Sequence, residues 1–173
     1  LVVFDIEATG LNKRTDRIVA IAIVRYEPDG SVEQFAYLLN PGTPIPEEAT
    51  QIHGITDDDV REAPTFAEMA DVLTAHFDGA DLAGYNILGY DIQMLAEEFT
   101  RAGRTFSLEG RRILDAQRIF FRNEPRDLSA ALRYYCGAEH EESHDALGDV
   151  LATIRVLGGQ FEKYPELPND LDA

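Results

Sequence analysis

Two carboxylates, Asp5 and Glu7, interrupt the apolar run that opens the chain. The run is rich in β-branched and aromatic residues, which predicts a buried strand. Side chains two apart in a strand point to the same face, so Asp5 and Glu7 share one face with Val3. Adjacent carboxylates at the end of an apolar strand are costly unless a positive charge lies between them, and no basic residue precedes Lys13. We therefore predict that Asp5 and Glu7 hold a metal ion. The alternative is a strand end whose carboxylates reach solvent.

Three more residues are candidates for chemistry: Asp91, His144 and Asp149. Asp91 falls in the first turn of a predicted helix, directly after a predicted strand and a tight loop. His144 precedes the predicted final helix, and Asp149 lies in that helix's opening turns. Each has an ordinary explanation alone, because Asp91 would offset the helix dipole and Asp149 would lie on a solvated face. His144 would then simply neighbour Asp145, the predicted helix cap.

Hydrophobic periodicity predicts an α/β chain that positions these side chains. After the opening strand, the predicted strands are 17–26, 32–39, 81–85 and 112–114, and the predicted helices are 46–54, 66–77, 90–101, 115–121, 127–137 and 145–164. Short turns between the first three strands predict an antiparallel meander, and the later strand–helix–strand order favours strands parallel to the first. Two capping boxes are predicted, Thr56 with Asp59 and Thr65 with Glu68.

Composition limits the function classes. The chain has 173 residues, of which 45% are hydrophobic, so a folded core is expected, and no apolar run approaches the about 20 residues that span a bilayer. A cytoplasmic location is the default, although the chain begins at Leu1 without a Met. The single cysteine, Cys136, excludes an internal disulfide. A net charge of −17 argues against charge-driven binding of long duplexes but is compatible with binding one strand end through a metal site.

Three segments together resemble the motifs of the DEDDh exonuclease family, which includes the proofreading epsilon subunit of bacterial DNA polymerase III. They are Asp5-Ile6-Glu7-Ala8-Thr9-Gly10-Leu11, Gly84-Tyr85-Asn86-Ile87-Leu88-Gly89-Tyr90-Asp91 and His144-Asp145-Ala146-Leu147-Gly148-Asp149. The region from Asn40 to Phe66 is also similar to the family's second-strand-to-helix region. The resemblance covers almost the whole chain, from about Val2 to Tyr164.

The resemblance implies a ribonuclease H-like fold: a mixed five-stranded sheet, with three antiparallel strands and then parallel ones, flanked by helices. It implies an exonuclease domain over residues 1–164 and a C-terminal tail over 165–173. The implied activity is 3′–5′ exonucleolytic hydrolysis of single-stranded or frayed DNA, releasing 5′-mononucleotides. Carboxylate oxygens are preferred by Mg²⁺ and Mn²⁺, and a pair of such ions can activate water and spread charge off the phosphate.

The resemblance also assigns roles to individual residues. Two divalent cations would be held by four carboxylates, those of Asp5, Glu7, Asp91 and Asp149. His144 would be the general base, since its unperturbed pKa of about 6.5 lies near working pH. Backbone groups of Ala8, Thr9 and Gly10 would approach the terminal nucleotide. Leu11 would wedge against the base, and His53 and Asn86 would line the same groove. Leu11 as a core contact and His53 as a helix-end histidine stay open.

The chain departs from the family pattern at two places. Many members have Phe where Tyr90 stands, and His-Asn where Tyr85-Asn86 stands. Neither change removes a proposed metal ligand. Proofreading subunits also carry a C-terminal segment that docks on the polymerase, whereas only nine residues follow Tyr164, which leaves a polymerase partner open.

Three rival functions are compatible with parts of the sequence. The motifs do not separate DNA from RNA, so an RNA-trimming or oligoribonucleotide-degrading enzyme is the first alternative. A phosphatase with an Asp5 nucleophile would need a mid-chain Lys, but only Lys13 and Lys163 occur. A non-catalytic nucleic-acid-binding module is disfavoured because all five motif residues are present. Oligomeric state is not predicted.

Overall fold

The computed structural model describes residues 1–140 and 145–166, and the chain divides into two compact units, Leu1–Ile119 and the chain from Phe120 onward. The elements of the first unit are β1 (Val2–Ala8), β2 (Ile18–Tyr26), β3 (Val32–Leu38), α1 (Glu47–His53), α2 (Asp57–Val60), α3 (Phe66–Phe77), β4 (Leu82–Gly84), α4 (Asp91–Arg101) and β5 (Ile113–Asp115). The remaining elements are α5 (Ala116–Asn123), which contains the boundary between the units, α6 (Leu128–Cys136) and α7 (Ala146–Lys163).

The five strands form one mixed sheet in the order β3-β2-β1-β4-β5. β1 pairs antiparallel with β2, and β2 pairs antiparallel with β3. β4 runs parallel to β1 and β5 runs parallel to β4. The predicted ribonuclease H-like arrangement of three antiparallel strands followed by parallel ones is therefore confirmed.

The core of the first unit lies against one face of this sheet. Phe4 and Ile6 of β1 are buried there with Leu73 of α3 and with Leu95 and Phe99 of α4. The faces of both helices were predictable from their apolar spacing. This packing fixes the start of α4 beside the end of β1.

The helix caps follow local sequence. Thr56 and Thr65 each accept from the backbone N–H three residues on, and both predicted capping boxes form. In the second unit, Leu132 of α6 packs with Ala152 and Val156 of α7. Across residues 1–140 and 145–166, no helix has both the length and the apolar character that crossing a lipid bilayer requires.

Candidate active site

Strand β1 presents Asp5 and Glu7 away from the core. Val2, Phe4, Ile6 and Ala8 are buried, whereas Asp5 is exposed and Glu7 is half-buried, as the strand period predicts. Partial desolvation raises the pKa of the Asp5 carboxyl above its ordinary value.

Asp91 is bound to this strand. It is the first residue of α4 and only 4% exposed, and its Oδ1 accepts a hydrogen bond from the backbone amide of Ile6 at 3.2 Å. Burial, opposed in part by backbone hydrogen bonds, raises the pKa of Asp91 to about 6, and the charges of Asp5 and Asp115 push in the same direction. A buried carboxyl thus lies beside the backbone that separates Asp5 from Glu7.

The structure does not test the full predicted ligand set. In the described ranges, 1–140 and 145–166, no three His, Cys, Asp or Glu side chains form a group that could hold a metal ion. Asp149 lies on α7 in the second unit, where Nε2 of His140 is 3.2 Å from its Oδ1. His144, the predicted general base, falls outside the described residues. The metal-ligand and base assignments therefore stay predictions.

A cavity of about 280 Å³ adjoins Glu7. Five of the six predicted substrate contacts line it: Ala8, Thr9, Gly10, Leu11 and His53. Two of its lining residues, Leu11 and Ile52, are 84% exposed, so the cavity offers apolar surface to the solvent. Asn86 is not among the lining residues, so the structure does not bring it to this cavity. An apolar cleft with a few polar groups is the usual form of a site that binds a small molecule.

Of the two ring nitrogens of His53, one is hydrogen-bonded and the other has no partner within the described residues. Its Nδ1 accepts from the backbone amide of Ile55 at 3.0 Å, which assigns the proton of the neutral ring to Nε2. That Nε2 is buried, and within the part of the chain that the structure describes it has no hydrogen-bond partner. The ring does pack at the end of α1, as the helix-end alternative expected, and within the described residues its Nε2 is a buried polar atom without a hydrogen bond.

Asp115 is a supporting residue that the sequence pattern did not single out. Its carboxylate is buried and accepts from the backbone amides of Asn86, Leu88 and Gln117 at 2.9, 3.2 and 3.0 Å. Burial alone would raise its pKa, but the hydrogen bonds from backbone amides outweigh burial, and the pKa lies below the ordinary value. It thereby holds the loop in which Asn86 adopts a left-handed φ of 60°. The only signal in the sequence was an acid directly after the predicted short strand 112–114, where a helix was predicted to begin.

Tyr90 joins the start of α4 to the cavity wall. Its hydroxyl donates to the carbonyl of Gly10 at 2.5 Å, and its ring lines the cavity. Burial raises the pKa of Tyr90 to about 12, and the neighbouring negative charges of Asp16, Asp91 and Glu7 contribute to a lesser extent. The hydroxyl is therefore a donor at neutral pH.

Comparison with known proteins points to one family. A family model described as "Exonuclease" (RNase_T) matches residues 2–157. A DNA polymerase III subunit epsilon-like protein of Rhodobacter capsulatus is 36% identical over 164 residues, which cover 90% of this chain and 23% of the relative. The 3′-5′ exonuclease DinG of Bacillus subtilis is 30% identical over 171 residues, covering 96% of this chain and 18% of the relative.

A solved structure supports the fold. The zinc-bound complex of E. coli exonuclease I with single-stranded DNA matches with a TM-score of 0.61 and 23% identity, over 95% of this chain and 41% of that one. The chain thus spans less than half the length of each of these three proteins. With the family model matching nearly the whole sequence, the chain belongs to the exonuclease family.

Proposed function

We propose that this chain is a metal-dependent 3′–5′ exonuclease that hydrolyses the terminal phosphodiester of single-stranded or frayed DNA and releases 5′-mononucleotides. The observation that carries the proposal is the hydrogen bond from Ile6 to Asp91, which brings a buried carboxyl against the backbone between Asp5 and Glu7. The 3′–5′ polarity is supported by the name of the DinG relative.

The donor set fits hard divalent cations. Asp5, Glu7 and Asp91 offer oxygen ligands only, and the raised pKa values of Asp5 and Asp91 are the mark of acids that a cation would stabilise in the charged form. We assign Asp149 to the same site on its motif, and Mg²⁺ or Mn²⁺, two per site, as the ions. Such ions, when bound, would lower the pKa of a coordinated water and offset charge on the phosphate.

The other residues would act on protons and on the strand end. His144 would take the proton of the attacking water, for which a group with a pKa near neutrality is suited. The cavity beside Glu7 would receive the terminal nucleotide, with Leu11 and Ile52 against the base and with Nε2 of His53 donating to a polar atom of the nucleotide.

DNA is proposed as the substrate. The E. coli exonuclease I structure contains single-stranded DNA, and the Rhodobacter relative is named for DNA polymerase III. A net charge of −17 supports binding to one strand end over binding along a duplex.

A panel of labelled substrates tests the proposal. Single-stranded DNA, duplex DNA with a 3′ mismatch, RNA and dinucleotides would be incubated with Mg²⁺ or Mn²⁺, alongside Asp5→Ala and a control, Asp29→Ala, in the exposed β2–β3 turn. We expect 5′-mononucleotides from the 3′ end of DNA for the wild type and the control, and none for Asp5→Ala. Faster cleavage of RNA would favour the ribonuclease alternative, and cleavage by Asp5→Ala would contradict the assigned site.

A further inference from the structure

The loop between β1 and β2 is a compact, internally bonded segment that carries Leu11. Its ends are closed by Thr9 N donating to Arg17 O at 2.9 Å and Arg17 N donating to Thr9 Oγ1 at 3.0 Å. Inside it, the amide of Asn12 donates to Oδ2 of Asp16 at 2.7 Å. A Cβ added at Gly10 would lie 2.5 Å from Asp16 Oδ2, so the loop closes tightly on Gly10. The position of Leu11 therefore depends on the contacts that hold the whole loop to the rest of the protein.

Helix α4 attaches the far part of this loop. Arg101 donates to the carbonyls of Lys13, Arg14 and Asp16 at 3.2, 2.8 and 3.1 Å. Glu98, only 1% exposed, accepts from the guanidinium of Arg17 at 2.7 Å. These contacts hold the part of the loop that does not line the cavity beside Glu7.

The near part of the loop is attached through Tyr90. Its hydroxyl binds the Gly10 carbonyl, immediately before Leu11, and Tyr90 directly precedes Asp91 in the chain. Tyr90, Gly10 and Leu11 all line the cavity beside Glu7. The side chain of Tyr90 thus connects the cavity wall at Gly10 to the start of α4, next to the buried Asp91.

We propose that Tyr90 is a positioning residue, whose hydroxyl fixes the Gly10–Leu11 wall relative to Asp91 and so aligns the terminal nucleotide for productive binding. This inference rests on the proposed exonuclease function. Tyr90 does not enter the chemistry: it donates to protein backbone, and its loss loosens the wall without removing a carboxylate.

Tyr90→Phe tests the inference because it removes one oxygen and keeps the ring. Tyr26→Phe is the matched control, since Tyr26 lies at the opposite end of the sheet, where β2 pairs with the start of β1. Steady-state cleavage of a single-stranded oligonucleotide would give kcat and KM, and amide exchange by NMR would report on Gly10 to Asn12. Loss of one hydrogen bond predicts a rise in KM of about fivefold with kcat within about twofold. Faster exchange of the loop amides is expected in Tyr90→Phe only.

Three results would overturn the inference, each in a different way. If the wild type is active and Tyr90→Phe has the same KM, Tyr90 has no positioning role and the proposed function still stands. A fall in kcat with KM unchanged would mean that Tyr90 acts on the chemical step. A wild type that releases no nucleotide from any substrate overturns the proposed function, and the role of Tyr90 with it.

Discussion

The carboxylate of Asp91 accepts a hydrogen bond from the backbone amide of Ile6, which lies between Asp5 and Glu7 in strand β1. Residues 85 apart in the chain are thereby joined, one in strand β1 and the other at the start of helix α4. The bond explains why Asp91 is buried and yet close enough to feel the charge of Asp5. Burial raises the pKa of Asp91, and the hydrogen bond from Ile6 offsets this only in part, so the stability of the chain should depend on pH.

Replacing Asp91 with Asn should change how stability depends on pH. The pKa of Asp91 is raised from 3.8 to about 6, so the folded state holds the proton more tightly than the unfolded state. The folded state is then favoured most below the ordinary pKa, and stability falls as pH rises through about 6, by up to about 3 kcal/mol. In EDTA, denaturant titrations should show this fall for the wild type and a flatter profile for Asp91→Asn. The exposed acid Asp71, changed to Asn, is the control, and equal slopes for the wild type and Asp91→Asn would contradict the prediction.

Replacing Asp115 with Asn should loosen the loop that carries Asn86. The lowered pKa of Asp115 means that its contribution to stability is present above the ordinary pKa and is lost as pH falls through the lower, folded value. At pH 7, Asp115→Asn keeps the shape of the side chain but removes the negative charge of the acceptor. The free energy of unfolding should fall by about 1–3 kcal/mol. Hydrogen exchange should accelerate at the amides of Asn86 and Leu88. Unchanged protection there, with unfolding free energy equal to that of the wild type, would refute the anchoring role.

His144→Ala should slow cleavage by about 100-fold or more if His144 is the general base. The wild-type rate should rise with pH through about 6.5 as a histidine loses its proton, and this limb should be absent in the variant. His76→Gln is a suitable control because His76 bonds Tyr37 Oη, at 2.9 Å, and does not line the cavity beside Glu7. A variant that retains the wild-type rate and pH profile would exclude His144 from this role.

Local features of the fold were predictable, and long-range contacts were not. The period of β1, the two capping boxes and the strand directions follow from neighbouring residues, and each is present in the structure. Asp115 was expected to begin a helix, but it ends β5, and α5 begins at Ala116. A strand of three residues is too short for its alternating pattern to show at which residue it ends.

The contacts that build the candidate site join distant parts of the chain. Glu98 binds Arg17, Tyr90 binds Gly10 and Asp91 binds Ile6, and about 80 residues separate the partners in each pair. Nothing in one sequence pairs a given acid with a given arginine or amide. The motif resemblance gave the residues near the cavity, whereas their hydrogen-bond partners needed the packing of α4 on the sheet.

Mn²⁺ titration of the wild type by isothermal calorimetry, beside Asp91→Ala and Asp149→Ala, tests the central claim most directly. We expect saturable binding of two ions per chain for the wild type and loss of at least one ion in each variant, while the control Asp71→Ala binds as the wild type does. Absence of saturable binding in the wild type, or unchanged binding in both variants, would contradict the four-carboxylate metal site.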